Sequence, residues 1–218
     1  MSHDGFITLP HPRSTVHSMT SHELSTAPGT MRNMSFAVVD FETTGLNPES
    51  DRIVQLAAVI VNGDGDITDS FDTIVKPESP SEYQHGAEHI HGISAEQVAN
   101  GMPLRIALQK LWDISADNVF TAHNAQFDLG FLHAESERVG IKGRVEIHID
   151  TLELSRRISG ADNTRRHNLF ALCEHYGIER DKVHDAKSDA TATAQLLMHL
   201  MKELGVKKSD QLAELFAP

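Results

Sequence analysis

Two acids two residues apart, Asp40 and Glu42, close a short apolar run, Phe36-Ala37-Val38-Val39. In a strand, period two sends both carboxylates to one face and Phe41 to the other. Two acids on one face repel unless they share a proton or a cation. A solvent-facing pair on a strand edge is the plainer alternative, which an apolar and central strand weakens. A third acid, Asp128, follows His123-Asn124-Ala125-Gln126-Phe127 in the first turns of an expected helix, with Asn124 as its N-cap. Alone, Asp128 reads equally well as a charge favouring the helix N-terminus. A fourth, Asp189, sits one turn into a helix that Asp185 would cap, and His184 stands just before it. Taken singly, His184 is one of 14 histidines and reads as a surface residue.

Taken together, four carboxylates from one strand and two helices can enclose hard cations, which prefer oxygen ligands. Two such ions ~3.5–4 Å apart stabilise both the attacking and the leaving oxygen of a phosphoryl displacement. A neutral imidazole beside them suits removal of a proton from water. Composition and spacing alone point to a metal-dependent, phosphate-processing site.

The elements that must position these groups follow from periodicity. Residues 36–39, 53–61, 67–75, 119–122 and 145–149 read as strands, and Asn62-Gly63-Asp64-Gly65 as a turn that makes the second and third antiparallel. Helices are expected over 102–114, from 127 onward with Phe127 and Phe131 as core contacts, and over 152–158, 169–176, 186–204 and 210–216. Three strands followed by alternating strand and helix predict an α/β fold with a mixed sheet. Residues 1–35 show no apolar periodicity and are expected to be a disordered or loosely packed tail, in which His3, His11, His17 and His22 are solvated rather than metal-binding.

The 218-residue chain is 39% hydrophobic, enough for a real core. Its single cysteine, Cys173, excludes a disulfide framework and a cysteine-rich zinc site. Residues 53–61, broken by Gln55, fall far short of the ~20 residues of a membrane span. The first residues lack a signal-peptide pattern, so the expected location is cytoplasmic. A net charge of −12 argues against a nucleic-acid coat protein, although carboxylates that hold cations count as negative until the ions arrive.

Asp40-x-Glu42-Thr43-Thr44-Gly45-Leu46, then His123-Asn124-x-x-Phe127-Asp128-x-x-Phe131-Leu132, then His184-x-Ala186-x-x-Asp189-Ala190 resemble the three exonuclease motifs of the DEDDh family. That group includes the epsilon proofreading subunit of bacterial DNA polymerase III. The resemblance covers about residues 36–202, with lesser matches at Ile90-His91-Gly92-Ile93-Ser94 and Asn168-Leu169-x-x-Leu172-Cys173. It implies a ribonuclease-H-like fold, α/β with a mixed five-stranded sheet flanked by helices, in an exonuclease domain at 36–204. It implies 3′→5′ exonuclease activity on DNA or RNA, releasing nucleoside 5′-monophosphates. It implies two Mg²⁺ or Mn²⁺ ions held by Asp40, Glu42, Asp128 and Asp189, with Asp40 bridging and His184 as general base. Thr43 and Thr44 would lie near the terminal nucleotide. His91, Asn124, Arg165 and Arg166 are the further substrate-binding candidates.

Its implied partners are nucleic-acid 3′ ends and a DNA polymerase, with no membrane. Two rival readings keep the fold: an exonuclease for RNA ends or short oligoribonucleotides, and a non-catalytic binding module. Loss of one acid or of His184 would favour the module, and none is lost. Arg156, Arg157, Arg165 and Arg166 form the densest basic stretch, read as a solvated loop or a phosphate track. His85, His89 and His91 are read as structural or substrate-contacting rather than zinc-binding, and Cys173 and Trp112 as core. Residues 205–218 read as a closing helix or tail. Gln211 with Leu215-Phe216 is similar to a sliding-clamp ligand, against the plainer reading of an amphipathic helix docked through Leu212, Leu215 and Phe216.

Overall fold

The structure, a computed structural model, describes residues 16–17, 31–78, 83–160, 164 and 166–217. Its strands are β1 (Val16–His17), β2 (Ser35–Thr43), β3 (Ile53–Asn62), β4 (Ile67–Lys76), β5 (Met102–Pro103), β6 (Val119–Ala122), β7 (Gly143–Arg144), β8 (His148–Asp150) and β9 (Phe216–Ala217). Its helices are α1 (Glu88–His91), α2 (Ala95–Ala99), α3 (Leu104–Ser115), α4 (Ala125–Arg138), α5 (Thr151–Ser159), α6 (Leu169–Tyr176) and α7 (Ala186–Glu203).

Seven strands form one mixed sheet in the order β5-β4-β3-β2-β6-β8-β9. β2, β3 and β4 run antiparallel, whereas β6 joins β2, and β8 joins β6, in parallel. The five strands expected from the sequence are the inner five, and the two-residue β5 and β9 extend the edges. The β3–β4 turn closes on Asn62, whose Oδ1 accepts from the N–H groups of Asp64 and Asp66. β3 is buried on both faces, as its unbroken apolar character requires.

Alternation along β2 divides the core. Phe36 and Val38 pack with Leu196, Leu197 and Leu200 of α7 and with Leu172 of α6. Val39 and Phe41 pack with Leu108 and Leu111 of α3 and with Leu129 and Phe131 of α4. Trp112 and Cys173 are core residues, as expected.

Several boundaries differ from those read in the sequence. Pro103 restricts Met102 to an extended backbone, so Met102–Pro103 pairs with Val75–Lys76 and the helix starts only at Leu104. The expected helix over 210–216 is a 3₁₀ segment, Ser209–Glu214, followed by β9, which completes the open edge of β8. Leu212 and Leu215 are buried in the α7-side core, and Gln211 Oε1 accepts from the N–H groups of Lys207 and Lys208. The side chains that resembled a clamp ligand are therefore used inside the fold. Of residues 1–35, most lie outside the described residues, His3, His11 and His22 among them. Val16–His17 pair in parallel with Gly143–Arg144, and Met34 is buried beside Phe36 and Val61.

Candidate active site

Parallel pairing between β2 and β6 ends at Val38↔Thr121, but β2 runs on to Thr43. Past that point the carboxyl end of β2 is free on one side, the place where open α/β sheets bind ligands. Asp40 and Glu42 stand on this free stretch, and a register shift falls between Glu42 and Thr43. Such a bulge re-aims a strand beside a site.

Asp128, 3% exposed, comes to it from the first turns of α4 and accepts a hydrogen bond from the backbone N–H of Phe41. Asn124 does not cap α4 with its side chain; it is exposed and takes a left-handed backbone, φ 67°. Its capping role passes to Asp150, at the end of the neighbouring parallel strand β8. Asp150 accepts from the backbone N–H groups of Asn124 (2.9 Å), Ala125 (3.0 Å) and Leu152 (2.9 Å), fixing the starts of α4 and α5 together.

Asp189 arrives from α7, whose N-cap is Asp185, as expected, through a bond from Ser188 N–H. Gln55, paired across the strands with Glu42, links this helix to the sheet. Its Nε2 donates to Asp185 Oδ2 (3.3 Å), and its Oε1 accepts from Ala186 N–H (3.2 Å). His184 is exposed and has φ 55°, an uncommon conformation for a residue with a Cβ. One ligand atom each from Glu42, His184 and Asp189 lie within 4.8 Å of one another. This oxygen and imidazole donor set is of the kind that holds a divalent cation.

The electrostatics agree. Burial, then the charges of Asp128, Asp189 and Glu42, push the Asp40 carboxyl well above its ordinary range. Burial and the charges of Asp189 and Asp185 raise Glu42 to about 7. Asp128 is raised by burial, against the hydrogen bond from Phe41. Asp189 is raised by burial, against its bond with Arg180. Four acids that resist ionising together form a site that a proton or a cation must neutralise.

The loop after β2 is held from within. Thr43 Oγ1 donates to Gly45 O, while Thr44 Oγ1 accepts from Arg52 N–H and donates to Asp51 Oδ1. A Cβ on Gly86 would run into the backbone carbonyl oxygen of Thr44, so this close approach requires glycine, whereas a Cβ on Gly45 would have to displace the Asp51 carboxylate. Arg138 of α4 donates to Pro48 O and Glu49 O, and buried Glu135 accepts from Ile53 N–H. His91 is buried at 2% exposure. Its Nδ1 accepts from Ile93 N–H and its Nε2 donates to Gly86 O, so both nitrogens serve the loop that backs Thr44.

The structure thus gathers Asp40, Glu42, Asp128, Asp189 and His184, with Thr43 and Thr44 alongside. Arg166 is exposed, and Arg165 lies outside the described residues. Arg156 pairs with Glu153, and Arg157 donates to Glu214 O. The reading of residues missed Arg180, Gln55 and Asp150. Gln55 carried a signal, since it is the polar interruption of the apolar run 53–61; Asp150 ends a strand just before a helix. Arg180 carried none.

The family model described as "Exonuclease" matches residues 37–197, and the chain belongs to this exonuclease family. It is 37% identical over 177 residues to a DNA polymerase III PolC-type of Staphylococcus saprophyticus, matching 80% of this chain and 12% of that protein. With the PolC-type polymerase of Thermotoga maritima it shares 32% identity over 189 residues, 85% of this chain and 13% of that protein. The chain therefore spans about an eighth of these polymerases. Among solved structures, exonuclease X in complex with a 5′-overhanging duplex DNA aligns at TM-score 0.59 and 25% identity, over 83% of this chain and 98% of that one. The nuclease domain of 3′hExo bound to rAMP aligns at TM-score 0.65 and 18% identity, over 78% and 92%, and shares the fold. Family members generally use divalent metal ions, and no helix among the described residues is long and apolar enough to cross a membrane.

Proposed function

We propose that this chain removes nucleotides one at a time from the 3′ end of DNA, with Mg²⁺ or Mn²⁺ held by Asp40, Glu42, Asp128 and Asp189. The observation that carries the reading is the approach of Glu42, His184 and Asp189 ligand atoms to within 4.8 Å, beside two further acids that resist ionisation. Two bound ions would supply stabilisation of the attacking and leaving oxygens of an in-line displacement. The chain's own residues do the rest. An unprotonated ring nitrogen of His184 accepts the proton of the attacking water. The water oxygen bonds to phosphorus, the bond to the 3′-oxygen of the penultimate nucleotide breaks, and a nucleoside 5′-monophosphate leaves. The backbone of Thr43 and Thr44, fixed by its own loop, meets the terminal sugar. Leu46, 84% exposed four residues beyond Glu42, offers an apolar face for a base.

The PolC-type relatives favour DNA and a place beside a polymerase, either on one chain or as a separate partner. A substrate panel tests the reading. Single-stranded DNA, mismatched-end duplex, RNA and dinucleotides are compared with Mg²⁺, with Mn²⁺ and with EDTA. The expected result is 5′-monophosphate release from DNA, abolished by EDTA and restored by either ion. Faster release from RNA or dinucleotides would transfer the same chemistry to another substrate. Binding without release under every condition would favour the non-catalytic module.

A further inference from the structure

Arg180 comes from the loop between α6 and α7 and enters the acid cluster. Its Nη2 donates to Asp189 Oδ1 in an ion pair, with the arginine side chain 8% exposed. Its charge also opposes the upward push on Asp40 and on Glu42. Yet its Nε–H is buried and has no hydrogen-bond partner. A buried donor left unmade is costly, and a guanidinium presents its donors as a fork suited to a second, planar or tetrahedral anion. The carboxylate it now holds is one of the three groups whose ligand atoms approach within 4.8 Å, where a divalent ion would sit. Arginine and ion would then compete for the same negative charge.

We propose that Arg180 is a two-position residue: it neutralises Asp189 in the free chain, and when a divalent ion takes that carboxylate it turns to a phosphate oxygen of the substrate strand. The proposal rests on the exonuclease reading above and adds a substrate-binding residue to it. It explains why one arm of the fork is engaged while a buried donor beside it waits for an acceptor. Arginine suits both positions, because its charge is permanent and its fork fits carboxylate and phosphate alike.

The test compares wild type with Arg180→Gln and Arg180→Lys in two measurements: Mn²⁺ binding to the free chain by calorimetry, and KM and kcat on a single-stranded oligonucleotide at saturating Mn²⁺. Arg180→Gln is expected to tighten Mn²⁺ binding by about tenfold or more, the worth of one charged hydrogen bond, and to raise KM by a similar factor. kcat should change less than KM. Arg180→Lys keeps the charge but not the fork, so its KM should still rise severalfold; this variant carries the test should Arg180→Gln not fold. Weaker Mn²⁺ binding in Arg180→Gln would make Arg180 a support for Asp189 and overturn the proposal. So would a lysine variant equal to wild type in both measurements, which would reduce Arg180 to a diffuse charge. Either result with an active wild-type enzyme leaves the exonuclease reading standing; an inactive wild type would instead remove that reading.

Discussion

The two flanks of the site are built differently. Asp40 and Glu42 sit on a strand laddered to β3 along its whole length, and the loop beyond is tied by Thr44, Asp51, Arg138 and Glu135. His184 and Arg180 sit on a connection between two helices, with exposed Glu179, Asp181, Lys182 and Val183 around them. There the ties are side-chain ones: Ile178 is buried in the core, Arg180 pairs with Asp189, Lys182 N–H donates to Ser188 Oγ, and Lys182 Nζ stands 3.6 Å from Asp185 Oδ2. Asp40 and Glu42 are therefore fixed by the sheet. His184, the proposed proton acceptor, and Arg180 are carried by a helix connection whose residues 181–184 are exposed. Gln55 is the rivet between the two, since it stands beside Glu42 and bonds the first residues of α7.

The comparison breaks most sharply at the acids. Asp40→Ala and Asp189→Ala should each leave a folded chain with nuclease activity reduced on the order of 10³-fold or more, because each removes a proposed cation ligand. Near-normal activity in either variant, with folding checked by circular dichroism, would refute the site. On the other flank, His184→Ala should retain Mn²⁺ binding and lose ~10²–10⁴-fold in kcat, the share of a positioned base. An equal loss of metal binding would make His184 a ligand instead.

Gln55→Ala tests whether the two flanks depend on one another. It should cost about 10–100-fold in activity, the usual effect of removing a residue that orients ligands, with little change in oligonucleotide KM. A loss confined to stability would show that Gln55 only packs.

A smaller effect separates the flanks by pH. The folded carboxyl of Glu42 titrates at about 7, above its ordinary 4.5. A carboxyl raised in the folded state contributes stability at low pH that disappears as pH rises through the folded value. In EDTA, the melting temperature should therefore fall between about pH 4.5 and 7, at no more than about 1.4 kcal/mol per pH unit from this group. Mg²⁺ or Mn²⁺ should suppress the fall, and Glu42→Gln should make it shallower, the other three raised acids keeping the rest. A flat wild-type profile in EDTA would show that the acids are relieved in another way. The least effect is expected from exposed Arg166, where Arg166→Ala should reduce the salt slope of oligonucleotide binding by about 1 if the residue touches phosphate. No change in slope would make it a solvated face.

How legible all this was depended on distance along the chain. Period-two spacing put Asp40 and Glu42 on one strand face, and local signals placed Asp185 as the cap ahead of Asp189, because each depends on neighbours within a few residues. The inner five strands followed for the same reason: each apolar run must find a sheet. Sequence could not say that Asn124 would hand the cap of α4 to Asp150, since that bond joins residues 26 apart through a parallel pairing. Nor could it replace the expected last helix with β9, because an open strand edge at β8 is a property of the assembled sheet. Arg180 shows the limit most clearly: nothing local marks it, and only the fold brings its charge against Asp189. The sequence by itself determined the candidate groups and most of the elements that carry them. The tertiary structure decided which buried charge meets which partner, because burial makes every unmatched charge costly and only packing chooses the match.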